Sequence, residues 1–311
     1  MNKDINILFM GTPQIAATVL KSLLDAKVSV KLVITQPDKK VGRKQKVQYS
    51  PVKQIAMDAN LDIFQPRKIR EDYQTILDYK PDLIITCAYG QLVPDEILNA
   101  PKYGCVNLHG SLLPKYRGGA PIQRAIWDGQ KKSGMSLMKM VHGLDEGPVL
   151  AMQEIEICAE DNSTRLFEKM GLAASQLILD RLDEVCSIDA SYLDQDDALA
   201  TYAPIIKKEE ERIDLNQTDI EIVNQIRALS LQPGAYVYLK KKKWKILNAS
   251  YTKEIQGPFA QVLGWVDDAY ALALHEGVLL IHQCQMEGKP ILSAKDFYNG
   301  QGRNLLGQIV E

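Results

Sequence analysis

Apolar residues in the first half of the chain come in short, dense runs, each followed by apolar positions at helical spacing. Residues 5–10 form the first run, ending in Gly11-Thr12-Pro13, and Ile15, Ala16, Val19, Leu20, Leu23 and Leu24 then recur three and four apart. This predicts strand, turn and helix, with Thr12 as the helix cap and Pro13 in the first turn, where a missing N–H costs nothing. Residues 28–35 predict a second strand. After a polar, basic stretch, Ser50-Pro51 opens another helix through Ile55 and Ala56. Residues 83–87, 105–108, 135–141 and 149–157 are further strand-like runs, and Ser163 starts a long helix toward Val185. Strands alternating with helices predict an α/β domain built on a doubly wound, mostly parallel sheet.

The pattern changes near residue 189. Residues 190–206 are polar, acidic and without clear period, which reads as a linker. Beyond them come one helical segment, 220–229, and short alternating runs at 235–239, 244–247, 261–266, 271–274 and 278–283, punctuated by glycine and proline. Such spacing predicts a second, smaller β-barrel or sandwich domain. The expected division is a domain over 1–189, a linker over 190–206 and a domain over 207–311.

At 311 residues the chain has room for two cores. No apolar stretch approaches the roughly 20 residues of a membrane span. Asp4 stands before a short apolar run, so no secretory signal is expected. Five cysteines without a CxxC spacing suggest neither a disulfide framework nor a zinc site, and fit reduced thiols in a cytoplasmic protein. With a net charge of -2, any polyanion has to be met by local patches. Two such patches exist. Lys39, Lys40, Arg43, Lys44, Lys46 and Lys53 fall in a stretch without an acid, longer than the usual strand-to-helix connection. Lys240, Lys241, Lys242, Lys243 and Lys245 surround Trp244 at an expected hairpin, where an aromatic among cations suits phosphate contact with base stacking. Either run also reads as a solvated face.

The densest chemistry lies at residues 107–121. Asn107 and His109 are two residues apart on a strand, so both side chains project from one face at its C-terminal end. A loop rich in glycine and proline follows, at the end of an open α/β sheet where ligands bind. Transfer of an acyl group to an amine needs a donor for the developing oxyanion and a route for a proton. Asn107 offers the first; His109 offers either, according to its charge. Asp145, bracketed by Gly143 and Gly147, is the best carboxylate partner for the ring, or else a turn-former bonding its own backbone.

Asn107-x-His109 followed by Ser111-Leu112-Leu113-Pro114 resembles the folate-dependent formyltransferases. The resemblance implies that Asn107, His109 and Asp145 are catalytic, that Ser111, Leu112, Leu113 and Pro114 belong to a formyltetrahydrofolate signature, and that Tyr89, Gly90, Gln91, Leu92 and Val93 line a pterin pocket. It also implies a Rossmann-like catalytic domain, 10-formyltetrahydrofolate as formyl donor and no metal. Gly11-Thr12-Pro13, Thr35-Gln36-Pro37-Asp38 and Ser50-Pro51-Val52-Lys53 are similar in order and spacing to the branch that formylates initiator methionyl-tRNA. In that branch an OB-like C-terminal domain binds tRNA; Pro233-Gly234-Ala235, Glu287-Gly288-Lys289 and Phe297-Tyr298-Asn299-Gly300 match its scattered motifs. Both basic patches then become tRNA contacts, and a monomeric cytoplasmic enzyme is implied. Ile15, Lys44, Gly110 and Glu146 depart from the family's usual residues without removing a catalytic group. A formyltransferase for an amino sugar nucleotide is the alternative; it shares the catalytic group but has no need of two basic patches.

Overall fold

A five-residue strand that is apolar throughout has to be covered on both faces. β1 (Ile7–Gly11) is wholly buried, as such a strand should be. The computed structural model describes residues 5–41 and 45–311, so Arg43 and Lys44 lie outside the described residues. After β1 come α1 (Gln14–Asp25), β2 (Val30–Ile34), β3 (Lys39–Val41), β4 (Lys46–Gln48), α2 (Pro51–Asp58), β5 (Asp62–Phe64), α3 (Gln74–Asp78), β6 (Leu83–Cys87), α4 (Asp95–Leu98), β7 (Cys105–His109), α5 (Pro121–Trp127), β8 (Lys132–Lys139), β9 (Val149–Glu156) and α6 (Ser163–Val185).

Seven strands make one sheet in the order β5-β2-β1-β6-β7-β8-β9. The first five are mutually parallel and β8 runs antiparallel to β7, which gives the mostly parallel α/β sheet that the pattern predicts. The chain winds outward from β1 to β2 and β5, then returns to place β6 on the other side of β1. The carboxyl ends of β1 and β6 therefore flank a topological switch point.

Ser50 caps α2 as expected, its hydroxyl accepting from Lys53 N at 3.0 Å. Thr12 does not cap α1. Pro13 holds the cap position, and the Thr12 hydroxyl donates instead to the Tyr89 carbonyl at 2.9 Å. Gln36 Nε2 donates to the same carbonyl at 3.1 Å, so the loops after β1, β2 and β6 are tied at one oxygen. The basic stretch holds a hairpin, β3 paired with β4, instead of an open loop. Three-residue strands with polar outer faces leave no hydrophobic alternation to read.

Contacts divide the chain into two compact units. The first, through Gly118, takes in residues 133–156 and 167–203; the second takes in 119–132, 157–166 and 204–311. In the second unit, α5 packs on α7 (Asp219–Ala228), whose start carries a Thr218–Glu221 capping box. Then follow β10 (Ala235–Leu239), β11 (Lys242–Thr252), β12 (Val262–Val266), β13 (Ala269–Ala273), β14 (Val278–Met286), β15 (Leu292–Ser293) and α8 (Ala294–Gly300). The sheet order β10-β11-β14-β13-β12 is antiparallel throughout. Residues 307–311 bond both of its outer strands: Glu311 exchanges N–H and C=O with Tyr238 at 2.8 and 2.7 Å, and Val262 N donates to Gln308 O at 2.8 Å.

Lys240 and Lys241, with φ of 49° and 64°, make the two-residue turn of the expected hairpin. The alternation of β11 then decides the neighbouring side chains. Lys242 is exposed, while Trp244 is fully buried and stacks on Phe297 with ring centroids 5.6 Å apart. A base-stacking role for Trp244 is thereby corrected, because strand period turns it into the core. Trp244→Ala should cost the second unit about 3 to 5 kcal/mol, the range for a large buried aromatic. Lys242→Ala should stay within about 0.5 kcal/mol of the parent, as surface changes do. Urea unfolding followed by far-ultraviolet circular dichroism compares the two.

Candidate active site

β7 ends with Asn107 half-buried and His109 5% exposed. Both backbones are fixed by the sheet, Asn107 lying between Thr86 of β6 and Met138 of β8. Among the described residues, no partner takes a hydrogen bond from the Asn107 amide. The imidazole is more constrained. His109 Nε2 lies 2.9 Å from the Tyr116 carbonyl oxygen, and a carbonyl only accepts, so Nε2 carries a hydrogen in either charge state. The nitrogen left without that bond is Nδ1. It faces Asp145, whose Oδ2 is 3.6 Å away, an ion-pair distance when the ring is charged and too long for a hydrogen bond.

Asp145 reaches that position from a left-handed backbone, φ 53°. Its Oδ2 also accepts from Gly118 N at 2.9 Å. Gly147 is required next to it, because a Cβ there would sit 1.7 Å from the Lys139 carbonyl. Gly118, at φ 119°, has its own close approach: a Cβ would lie 2.8 Å from the Ala203 carbonyl. The sequence places Asn107, His109 and Asp145 in one group, and the structure brings His109 and Asp145 together at the end of the strand that carries Asn107.

The Ser111-Leu112-Leu113-Pro114 segment is shaped from within. Ser111 is fully buried and donates to the Lys115 carbonyl at 2.6 Å, while Ser136 of β8 donates to the Ser111 carbonyl at 2.7 Å and accepts from Leu113 N at 3.1 Å. Leu113 packs with Met138 and Val149. In the loop after β6, the Tyr89 ring joins the core with Leu8, Met10 and Ile84, and its hydroxyl has no partner among the described residues. That burial pushes the phenol well above its usual pKa. Gln91 braces the loop by accepting from Ile69 N at 2.9 Å and donating to the Pro66 carbonyl at 3.3 Å. Leu92, at 82% exposed, and the exposed Gly90 present the loop's free edge.

Sequence reading missed Arg117, Gln195 and Thr201. Arg117 is 2% exposed, yet its guanidinium is satisfied by Gln195 Oε1, which accepts from Nε at 3.0 Å and Nη2 at 2.9 Å, and by Asp197 at 2.7 Å from Nη2. Burial works against the charge, but the bonds to Asp197 and Tyr202 outweigh it and hold the pKa above its ordinary value. Thr201 accepts from Arg117 N with its carbonyl at 2.8 Å and from Tyr116 N with its hydroxyl at 2.9 Å. The polar segment expected to be a linker thus supports the loop that holds His109. An arginine inside a turn-rich motif was the one signal that the sequence carried.

Of the basic positions, Lys39, Lys40 and Lys46 are exposed on the β3–β4 hairpin, and Lys53 is paired with Asp38 at 2.6 Å. In the second unit Lys240, Lys241 and Lys242 are exposed. Lys243 lies over the Tyr236 ring at 3.9 Å, and Lys245 Nζ donates to the Pro233 carbonyl at 2.5 Å. Among the described residues no helix is long and apolar enough to cross a membrane.

Residues 3–182 match the formyl transferase family and residues 205–302 the formyl transferase C-terminal domain. Methionyl-tRNA formyltransferase of Malacoplasma penetrans is 36% identical over 306 residues, covering 98% of this chain and 96% of that one. Its namesake from Streptococcus pneumoniae serotype 19F is 40% identical over 302 residues, 96% of each chain. Solved structures share the fold. HypX from Aquifex aeolicus, in complex with tetrahydrofolic acid, has a TM-score of 0.72 at 19% identity over 97% of this chain and 48% of that one. Methionyl-tRNA formyltransferase from Clostridium thermocellum has a TM-score of 0.58 at 20% identity over 81% of this chain and 95% of that one. An N-formyltransferase from Helicobacter canadensis, with folinic acid and dTDP-3-aminofucose, has a TM-score of 0.67 at 20% identity over 89% of this chain and 99% of that one. With both formyl transferase domains in order and relatives of one name matched nearly end to end, the chain belongs to the methionyl-tRNA formyltransferase family.

Proposed function

We propose that Asn107, His109 and Asp145 carry the transfer of a formyl group from 10-formyltetrahydrofolate to the α-amino group of initiator methionyl-tRNA. The chain is a formyltransferase acting on methionyl-tRNA, and a folate-derived donor goes with its family. The neutral amine attacks the formyl carbon and forms the new C–N bond. Asn107, whose amide is unspent, donates to the oxyanion that develops. His109 works through Nδ1, donating to that oxyanion when charged or taking the amine's proton when neutral. Collapse breaks the bond between the formyl carbon and N10 of the folate, and the proton lost by the amine ends on N10. Asp145 sets its carboxylate opposite Nδ1, where it stabilises positive charge that the ring takes up in the reaction.

What carries this reading is the pinned imidazole: Nε2 is committed to the Tyr116 carbonyl, so the remaining nitrogen, Nδ1, faces the Asp145 carboxylate. On the folate side, the apolar edge at Leu92 and the loop of Tyr89, Gly90, Gln91 and Val93 suit a pteridine ring, with Ser111 to Pro114 forming the opposite wall. Leu92's exposure supports this, as does the position of the loop at a sheet switch point. An amino sugar nucleotide as acceptor has weaker support. The sugar enzyme shares the fold at 20% identity, whereas the methionyl-tRNA relatives match nearly end to end at 36–40%. Arg43 and Lys44, with Lys39, Lys40 and Lys46, are assigned to the acceptor end of the tRNA. Lys240 to Lys243 and Lys245 are assigned to backbone farther away. A cytoplasmic monomer is the form that goes with this role.

Asn107→Ala, His109→Ala and Asp145→Asn should each lower kcat by roughly two to four orders of magnitude, with tRNA affinity nearly unchanged. Steady-state formylation of initiator methionyl-tRNA checks this, and parental turnover in any variant removes that residue from the mechanism. The exposed lysines are tested by salt. Lys241→Ala and Lys242→Ala should each flatten the slope of log affinity against log salt by up to about 0.7 to 0.9, the share of one phosphate contact. An unchanged slope would make that hairpin a solvated face.

A further inference from the structure

The geometry points to Gln195 as a positioning residue for formyl transfer, one that sets where the Asp145 carboxylate stands relative to His109. This rests on the catalytic reading of Asp145 given above. Gln195 spends its whole amide on two pieces of the site. Nε2 donates to the Asp145 carbonyl at 2.8 Å and to the Gly147 carbonyl at 2.7 Å, thereby gripping both sides of the turn that presents the carboxylate. Oε1 accepts two bonds from the buried Arg117 guanidinium. Arg117 is flanked by the residues that do the remaining holding. The carbonyl of Tyr116, just before it, fixes His109 Nε2, and the N–H of Gly118, just after it, fixes Asp145 Oδ2. One side chain therefore links the Asp145 turn to the loop that orients its partner.

That link is needed because neither piece holds the other tightly. The carboxylate meets the ring at 3.6 Å, without a hydrogen bond to lock the pair. Residue 145 also sits at φ 53°, a backbone state that a non-glycine residue keeps only when its surroundings enforce it. A shift of about 1 Å at a catalytic group costs on the order of 100-fold in rate, so a bond that fixes the turn acts on kcat more than on binding. Gln195 bonds the Asp145 turn and Arg117, and none of its bonds goes to a residue assigned to folate or tRNA binding. Its loss should leave both KM values in place.

Gln195→Glu separates holding the turn from holding the fold. The carboxylate still accepts from Arg117, more strongly than the amide does, but it has no hydrogen to give and sets an oxygen against two carbonyls. With full-length enzyme, 10-formyltetrahydrofolate and initiator methionyl-tRNA, the expected result is a kcat reduced by about 10 to 100-fold, with both KM values within about 2-fold and the melting temperature nearly that of the parent. Gln195→Met, which loses all four bonds at similar volume, should lower kcat at least as far. The decisive measurement is the pair of substitutions. In an Asp145→Asn background, Gln195→Glu should change kcat by less than about 2-fold, because the carboxylate it positions is gone. Parental kcat in Gln195→Glu overturns the proposal while leaving the role of Asp145 intact. So does a full additional loss in the double variant, or a loss of rate that only tracks a loss of folded protein. Parental kcat in Asp145→Asn alone overturns the catalytic reading itself, and the positioning role with it.

Discussion

The hydrogen bond from His109 Nε2 to the Tyr116 carbonyl is the contact on which the site's logic depends. Once one ring nitrogen is committed to an oxygen that can only accept, the other is the one left to meet anything else, and the proposed proton transfer has to use it. Much of the neighbouring structure is accounted for by the need to keep one carbonyl still. Tyr116 donates its own N–H to Thr201, and the next residue sinks a guanidinium into the protein, where the Gln195 amide and the Asp197 carboxylate accept from it. A buried arginine is costly unless it is paired, and here its acceptors come from a segment that carries hardly any apolar anchor of its own.

The same economy explains why the segment over residues 190–203 is polar. It is held by backbone and side-chain hydrogen bonds: Leu193 pairs with Val149 in both directions, Gln195 with the Asp145 turn, Ala203 with Arg117. Leu193 and Tyr202 stay 72% and 64% exposed, so apolar burial supplies little of the grip. A segment attached this way is ordered by specific donors and acceptors, and its composition resembles that of a free linker.

That resemblance marks the limit of what the sequence could disclose. The placement of Asn107 and His109 on one strand was legible because period two and an apolar strand are local signals, visible within five residues. Ser50-Pro51 was legible for the same reason. Trp244 was misleading: its neighbours argued for a surface role, while the alternation of its own strand turned it inward to Phe297. Thr12 has the composition of a cap, yet the carbonyl of Tyr89, supplied by another loop, competes for its hydroxyl. Gln195 meets Arg117 across 78 positions of sequence, and no spacing rule reaches that far. The short strand β5 and the β3–β4 hairpin carry too few residues for any periodicity. The parts read correctly are those whose cause lies in adjacent residues, and the parts missed are those that depend on a distant partner.

Residues 307–311 bear on a different property of the second unit. By bonding Tyr238 on one side and Ala260 and Val262 on the other, they occupy hydrogen-bonding groups along both outer strands of the antiparallel sheet. An outer strand with free N–H and C=O groups is a template for another chain, and proteins with such edges are prone to associate strand to strand. Here that templating surface is consumed within the molecule. Until those five residues have joined, the N–H and C=O groups of Tyr238 and Val262 stay free, so the interval before they dock is when this unit is most exposed to self-association.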